Sequence, residues 1–228
     1  MLYWDPTYWL MLPGLLLGLF AQARVKGAYA KYSRVASRAG VPAARVVDDM
    51  LRKNGDGGVR VERTGGTLTD HYDPRSETLR LSEGVYDSTS LAAIGIAAHE
   101  AGHALQKRDD YAPLALRSVL VPVVNIGSGL AFPLFLVGLI VSWEPLVFAG
   151  ILLFSLVVLF SLITLPVEFN ASRRAVAMLT AGGYIDQSEV PGVKAVLSAA
   201  ALTYVASAVT ALLQLLRLLL LANSRRRN

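Results

Sequence analysis

Four long stretches without a single charged residue constrain this chain more than any other feature. Residues 6–23, 118–143, 145–167 and 195–216 contain no Asp, Glu, Lys or Arg, and they run for 18, 26, 23 and 22 residues. About 20 apolar residues in a helix cross the hydrocarbon core of a bilayer. At that depth only helices or closed barrels satisfy their own backbone polar groups. The chain is 54% apolar and 17% charged, with a mean hydropathy of +0.45, too greasy for an ordinary soluble domain. Trp4, Tyr8 and Trp9 stand at the start of the first run as an interfacial aromatic belt would. That run lacks the basic start and small-residue cleavage site of a secretory signal, so it reads as a retained anchor. The second and third runs, parted by Glu144, read as a transmembrane hairpin turning outside, with Asn125 and Ser128 facing other helices.

Charge sets the orientation. Arg24, Lys26, Lys31, Arg34 and Arg38 follow the first run with no acidic residue among them. By the positive-inside rule the N-terminus lies outside and the following segment is cytoplasmic, so the expected location is the plasma membrane, in several passes. The net charge of +5 is accounted for by this topology without invoking nucleic acid. Four crossings would also leave Arg225, Arg226 and Arg227 outside, against the same rule. Charge counting alone therefore leaves open whether the first and last runs both span. There is no cysteine, which excludes disulfides, thiolate metal ligands and a cysteine nucleophile.

Residues 24–117 read as a small α+β unit. Pro42 opens a helix with Val46, Val47, Met50 and Leu51 on one side, closed by Asn54-Gly55. Val59 and Val61 alternate with charged residues before a Thr64-Gly-Gly turn. Leu68 to Asp73 and Thr78 to Ser82 form an expected strand pair around a turn at Pro74. An edge strand in such a place suits the binding of an extended peptide by backbone pairing.

The strand pair leads into Ser90-Leu-Ala-Ala-Ile-Gly-Ile-Ala-Ala-His99-Glu100-Ala-Gly-His103-Ala-Leu-Gln106, one helix with Asp87, Ser88 and Ser90 as cap candidates. Residues four apart share a helix face, so His99 and His103 can present both imidazoles to one tetrahedral ion. Glu100, one step round the helix, stands beside the position of a bound water. The preceding segment is almost wholly apolar, and burying such polar groups without a metal or partners costs several kcal/mol. The pattern points to Zn2+.

A third ligand is less directly read. Glu168 ends the third apolar run and begins Glu168-Phe-Asn170-Ala-Ser172-Arg173-Arg174, expected as a new helix after Pro166. It is a candidate ligand, with Ser172 or Asn170 as supporting donors; a plain alternative is a helix-start glutamate stabilised by the macrodipole. His71, the only other histidine, stands open as a ligand, a transition-state donor or a turn residue in Asp-His-Tyr-Asp-Pro. Tyr204 lies within the last apolar run and needs a hydroxyl partner if buried. His71, Tyr204 and Arg173 are the candidate donors to a developing oxyanion.

These segments carry a resemblance. Thr69-Asp-His-Tyr-Asp-Pro-Arg-Ser, Leu-Ser-Glu83, Ala-Ala-His99-Glu-Ala-Gly-His103-Ala-Leu-Gln, Glu168-Phe-Asn-Ala-Ser-Arg-Arg and Ala-Ala-Ala-Leu-Thr-Tyr204-Val-Ala look like the YugP-like neutral zinc metallopeptidases, integral membrane proteins of bacteria. The likeness covers essentially the whole chain in order, and the layout is more distantly similar to HtpX-type gluzincins. It implies His99, His103 and Glu168 as zinc ligands and Glu100 as catalytic base. HtpX-type enzymes usually carry aspartate four residues after the glutamate, where this chain has Ser172, so no supporting role follows for that position from the likeness.

The expected fold is a mainly α membrane protein, a transmembrane helix bundle with a small cytoplasmic zincin-like α+β unit. Its parts are an anchor at 1–23, the α+β unit at 24–117, a hairpin at 118–166, a glutamate-bearing helix and loop at 167–192, and an apolar helix with a basic tail at 193–228. The expected activity is zinc-dependent hydrolysis of membrane or membrane-proximal polypeptides near the cytoplasmic face. The competing expectation is a non-catalytic membrane scaffold in which a closed, four-ligand metal site is structural.

Overall fold

A computed structural model describes residues 6–226; Trp4 and Arg227 lie outside the described residues. A 3-10 turn, Pro6–Met11, leads into α1 (Leu12–Tyr32), followed by α2 (Ala43–Lys53), β1 (Arg60–Thr64), β2 (His71–Asp73) and β3 (Thr78–Ser82). The chain continues with α3 (Glu83–Tyr86), α4 (Leu91–Arg108), α5 (Ala112–Ile140), α6 (Glu144–Ala181) and α7 (Val190–Arg226). Four segments are long and apolar enough to cross a membrane: Pro6–Tyr32, Ala112–Ile140, Glu144–Ala181 and Val190–Ser224. Both the first and the last run are among them.

Two compact units share these elements. One consists of residues up to Ala21, Leu116–Leu165 and the chain from Thr203; the other is Gln22–Ala115 with Pro166–Leu202.

The described residues of the first unit are helical apart from the turn at 141–143. Ile126, Ile140, Phe148, Leu152 and Leu159 are exposed on its outside, whereas Ala131, Phe135 and Leu218 are buried. The hairpin helices α5 and α6 meet at Gly150, where a Cβ would stand 2.7 Å from the Ala131 carbonyl oxygen and the Phe135 backbone nitrogen. Helices in lipid associate through such small residues because apolar surface alone gives no preference for protein over lipid. Arg217, which closes the last uncharged run, is buried. Its Nε donates to Thr7 Oγ1 at 3.1 Å, and its guanidinium lies 3.8 Å over the Tyr8 ring, so its charge is met within the unit.

The second unit is built round α4. Val46, Val47, Met50 and Leu51 of α2, Leu79 and Leu81 of β3, and Ile94, Ala97, Ala98, Ala101 and Leu105 of α4 form one core with Ala175 and Leu179 of α6. The sheet has order β1-β3-β2. The expected pair β2–β3 is antiparallel, and Arg60–Thr64 adds a third strand parallel to β3. The short period-two pattern at Val59 and Val61 was the signal for it. β2 is thus an edge strand.

One expectation changes. No new helix starts after Pro166; α6 runs unbroken through it from Glu144 to Ala181. Proline lacks only one donor and fixes φ at a helical value, and an apolar helix packed among others tolerates the lost bond. The carbonyl of Pro166 accepts from the Tyr111 hydroxyl at 3.5 Å. Glu168 therefore lies well inside a continuous helix and not at a helix start, which removes the macrodipole reading of it.

Candidate metal centre

Ser90 caps α4, its Oγ accepting the Ala93 N–H at 3.2 Å, and the helix then runs without interruption to Arg108. That continuity puts His99 and His103 one turn apart, with ring centroids 4.8 Å apart and planes at 85°. The rings meet α6. Helix approach is close because residue 102 is glycine: a Cβ there would stand 2.7 Å from the Ala171 carbonyl oxygen and 3.1 Å from its Cα. Between the two helices Glu168, 2% exposed, points its carboxylate at both rings. Its Oε2 lies 3.2 Å from His99 Nε2 and 3.7 Å from His103 Nε2.

One ligand atom from each of His99, His103 and Glu168 falls within 4.8 Å of the other two. Ligand atoms 2.0–2.1 Å from a tetrahedral zinc stand about 3.4 Å apart, and the two carboxylate-to-imidazole distances bracket that value. Burial disfavours a charged His103, yet Glu168 and Glu100 outweigh it and hold its pKa above the ordinary histidine value. The site therefore attracts positive charge, which a proton or a metal ion can supply. The donor set, two imidazoles and a carboxylate with no sulfur, suits zinc.

The outward nitrogens of both rings are engaged. His99 Nδ1 stands 3.1 Å from Ser172 Oγ, and His103 Nδ1 stands 2.9 Å from Gln106 Oε1. Serine thus occupies the supporting position that the HtpX likeness left unassigned. Gln106 is fully buried; it donates to the Val167 carbonyl at 2.8 Å and to Asn170 Oδ1 at 2.9 Å. Gln106 belongs to no sequence motif that marks it as part of the site. A lone amide on an alanine-rich helix, three residues after a histidine and so on the same face, was the available signal.

Glu100 is half-buried and faces the sheet, where its Oε2 accepts the Tyr72 backbone N–H of β2 at 3.0 Å. β2 is placed by Asp70, whose carboxylate accepts from the Ser82 backbone N–H at 2.8 Å and from the Ser82 hydroxyl. His71 does not join the metal group. Its ring is exposed, with Nδ1 2.8 Å from the Thr69 carbonyl oxygen, so Nδ1 carries the proton and Nε2 donates only when the ring is protonated. Arg173 is exposed on α6. Tyr204 belongs to the other unit. Among the described residues the group offers three candidate ligands, not four.

With this geometry the comparisons with known proteins become informative. Residues 7–223 match the family described as "putative neutral zinc metallopeptidase". The chain belongs to that family. It is also 48% identical over 212 residues to the "putative membrane protease YugP" of Bacillus subtilis (strain 168), covering 93% of this chain and 94% of the relative. No solved structure matches it.

Proposed function

We propose that this chain is a membrane-embedded zinc endopeptidase acting on membrane or membrane-proximal polypeptides. The observation that carries the reading is the convergence of His99, His103 and Glu168 on one point, with Glu100 beside it and held by an edge strand. Three ligands leave one tetrahedral position open, as catalytic sites do and structural sites do not. Family membership and the membrane-protease relative support the same reading.

His99, His103 and Glu168 would hold the ion. Zinc bound there supplies Lewis acidity that makes water a nucleophile near neutral pH. Glu100 accepts the proton that water gives up and passes it to the leaving amine of the peptide bond. Glu100 is suited to both roles because its carboxylate is half-buried on the same helix turn as the ligands. The open edge of β2 takes an extended substrate strand, with the Tyr72 N–H marking where its backbone runs past Glu100. The zincin-like arrangement of strand, metal helix and glutamate helix lies at the cytoplasmic face of the bacterial plasma membrane. The basic residues between Arg24 and Arg38 and the position of Glu168 directly after an uncharged run support that side.

The test is metal content and cleavage of casein or a membrane-protein substrate, compared between wild type and Glu100→Gln. The variant keeps its zinc and loses about 10²–10⁴-fold in rate, the usual worth of a general base. Chelation abolishes wild-type cleavage and added zinc restores it. Undiminished cleavage by Glu100→Gln rejects Glu100 as the base.

A further inference from the structure

The two metal-site histidines are supported by chemically different partners, and the difference decides how each ring is protonated. We infer that Gln106 is a positioning residue that locks His103 in its ligand tautomer, and that Asn170 and Arg174 in turn lock Gln106; this rests on the zinc reading of the site.

Arg174 can only donate. Its Nε stands 2.9 Å from the Asn170 side chain, so the Asn170 atom facing it is the oxygen, Oδ1. That same oxygen lies 2.9 Å from the Gln106 amide, and the Val167 carbonyl, another pure acceptor, lies 2.8 Å from it. Both require the Gln106 nitrogen on that side. The Gln106 oxygen is left facing His103 Nδ1 at 2.9 Å, and an amide oxygen only accepts. His103 Nδ1 therefore carries a hydrogen, and a neutral ring keeps its Nε2 lone pair for the space shared with Glu168 Oε2. The outer end of the relay is fixed as well, since Arg174 also pairs with Asp109 at the end of α4.

His99 has no such lock at its outward nitrogen. Its Nδ1 meets the Ser172 hydroxyl, which rotates to donate or accept, so that partner does not select the tautomer of His99. Gln106 is fully buried, and its amide makes every contact just named within one unit of the fold. The site is preorganised for metal through His103 and permissive through His99. Partners of this kind change metal affinity by about 10–100-fold when removed.

The experiment uses the full-length protein purified in detergent, with zinc affinity read by competition against a chromophoric chelator and with absorption spectra of the Co2+-loaded protein. Gln106→Met keeps the side-chain length and removes the acceptor. It is expected to bind zinc about 10–100-fold more weakly than wild type and to shift the Co2+ bands. Ser172→Ala is expected to lose distinctly less. Should Gln106→Met not accumulate folded, Asn170→Ala frees the amide to turn and is expected to weaken zinc in the same direction, with thermal unfolding of the metal-free protein recording any packing loss separately. Wild-type affinity and unaltered Co2+ bands in Gln106→Met or, where it fails to fold, in Asn170→Ala overturn the inference. A Ser172→Ala loss equal to that of Gln106→Met overturns it too. Failure of the wild type itself to bind zinc removes the metal site and this inference with it, and is told apart by occurring without any substitution.

Discussion

Asp73 shows how a single carboxylate secures the strand beside Glu100. Its oxygens accept from the Ser76 hydroxyl at 2.6 Å, the Arg75 backbone N–H at 3.0 Å and the Arg80 guanidinium at 3.3 Å. These bonds, that of Ser76 foremost, hold its pKa well below the usual carboxylate range. A proton is thus bound more weakly in the folded chain than in the unfolded one. The stabilisation is complete above the unfolded value of about 3.9 and is lost as pH falls from there through the folded value. Denaturant midpoints measured between pH 6 and pH 3 should fall more steeply for wild type than for Asp73→Asn. Parallel curves would show that Asp73 contributes nothing to acid sensitivity. At this scale the sequence was informative in proportion to how local the signal was. His99, Glu100 and His103 lie within five residues on one helix and were legible at once. Glu168 was visible only as a candidate, because 65 residues separate it from His103 and spacing does not report a contact of that range. Gln106 and Asp70 were not legible as neighbours of the site because each reaches it through a hydrogen bond whose partner is set by tertiary packing.

At the scale of elements, the candidate metal centre depends on how near α4 and α6 come to each other. Gly102 permits that approach, since a Cβ would fall 2.7 Å from a backbone oxygen of α6 that cannot yield. Gly102→Ala should therefore destabilise the protein by about 1–3 kcal/mol, the range for overpacking a filled interior. It should also weaken zinc by parting His99 and His103 from Glu168. Thermal unfolding and metal content read the two effects, and an alanine variant unchanged in both would contradict the packing described. The helix pattern of α4 and the β2–β3 pair followed from cap, periodicity and turn residues. The uninterrupted passage of α6 through Pro166 did not, because local preference says that proline ends a helix and only its surroundings say otherwise. The parallel strand β1 escaped full recognition for a similar reason: its partner β3 lies across an intervening strand and two turns.

For the whole molecule, the proposed topology has all four helices of spanning length crossing the bilayer, so that the α5–α6 and α6–α7 connections lie on opposite sides. The absence of cysteine makes this directly measurable. Single cysteines at Ser142, in the hairpin between α5 and α6, and at Ser188, between α6 and α7, should label from opposite sides of intact cells with a membrane-impermeant maleimide. Ser142→Cys should react from outside and Ser188→Cys only after permeabilisation. Equal labelling of both from outside would contradict the topology. That four apolar runs would be helices was evident from composition alone; whether the first and last both span was not decided by charge, because the basic residues from Arg24 to Arg38 and the terminal arginines give conflicting signals.

The proposed activity requires zinc held between α4 and α6. X-ray absorption at the zinc edge of the purified wild-type protein measures this most directly. The prediction is one zinc per chain, with two imidazole nitrogens at about 2.0–2.1 Å, oxygen ligands at about 2.0–2.2 Å and no sulfur. A protein purified with zinc freely supplied that holds none, or a spectrum with only one imidazole, would contradict it.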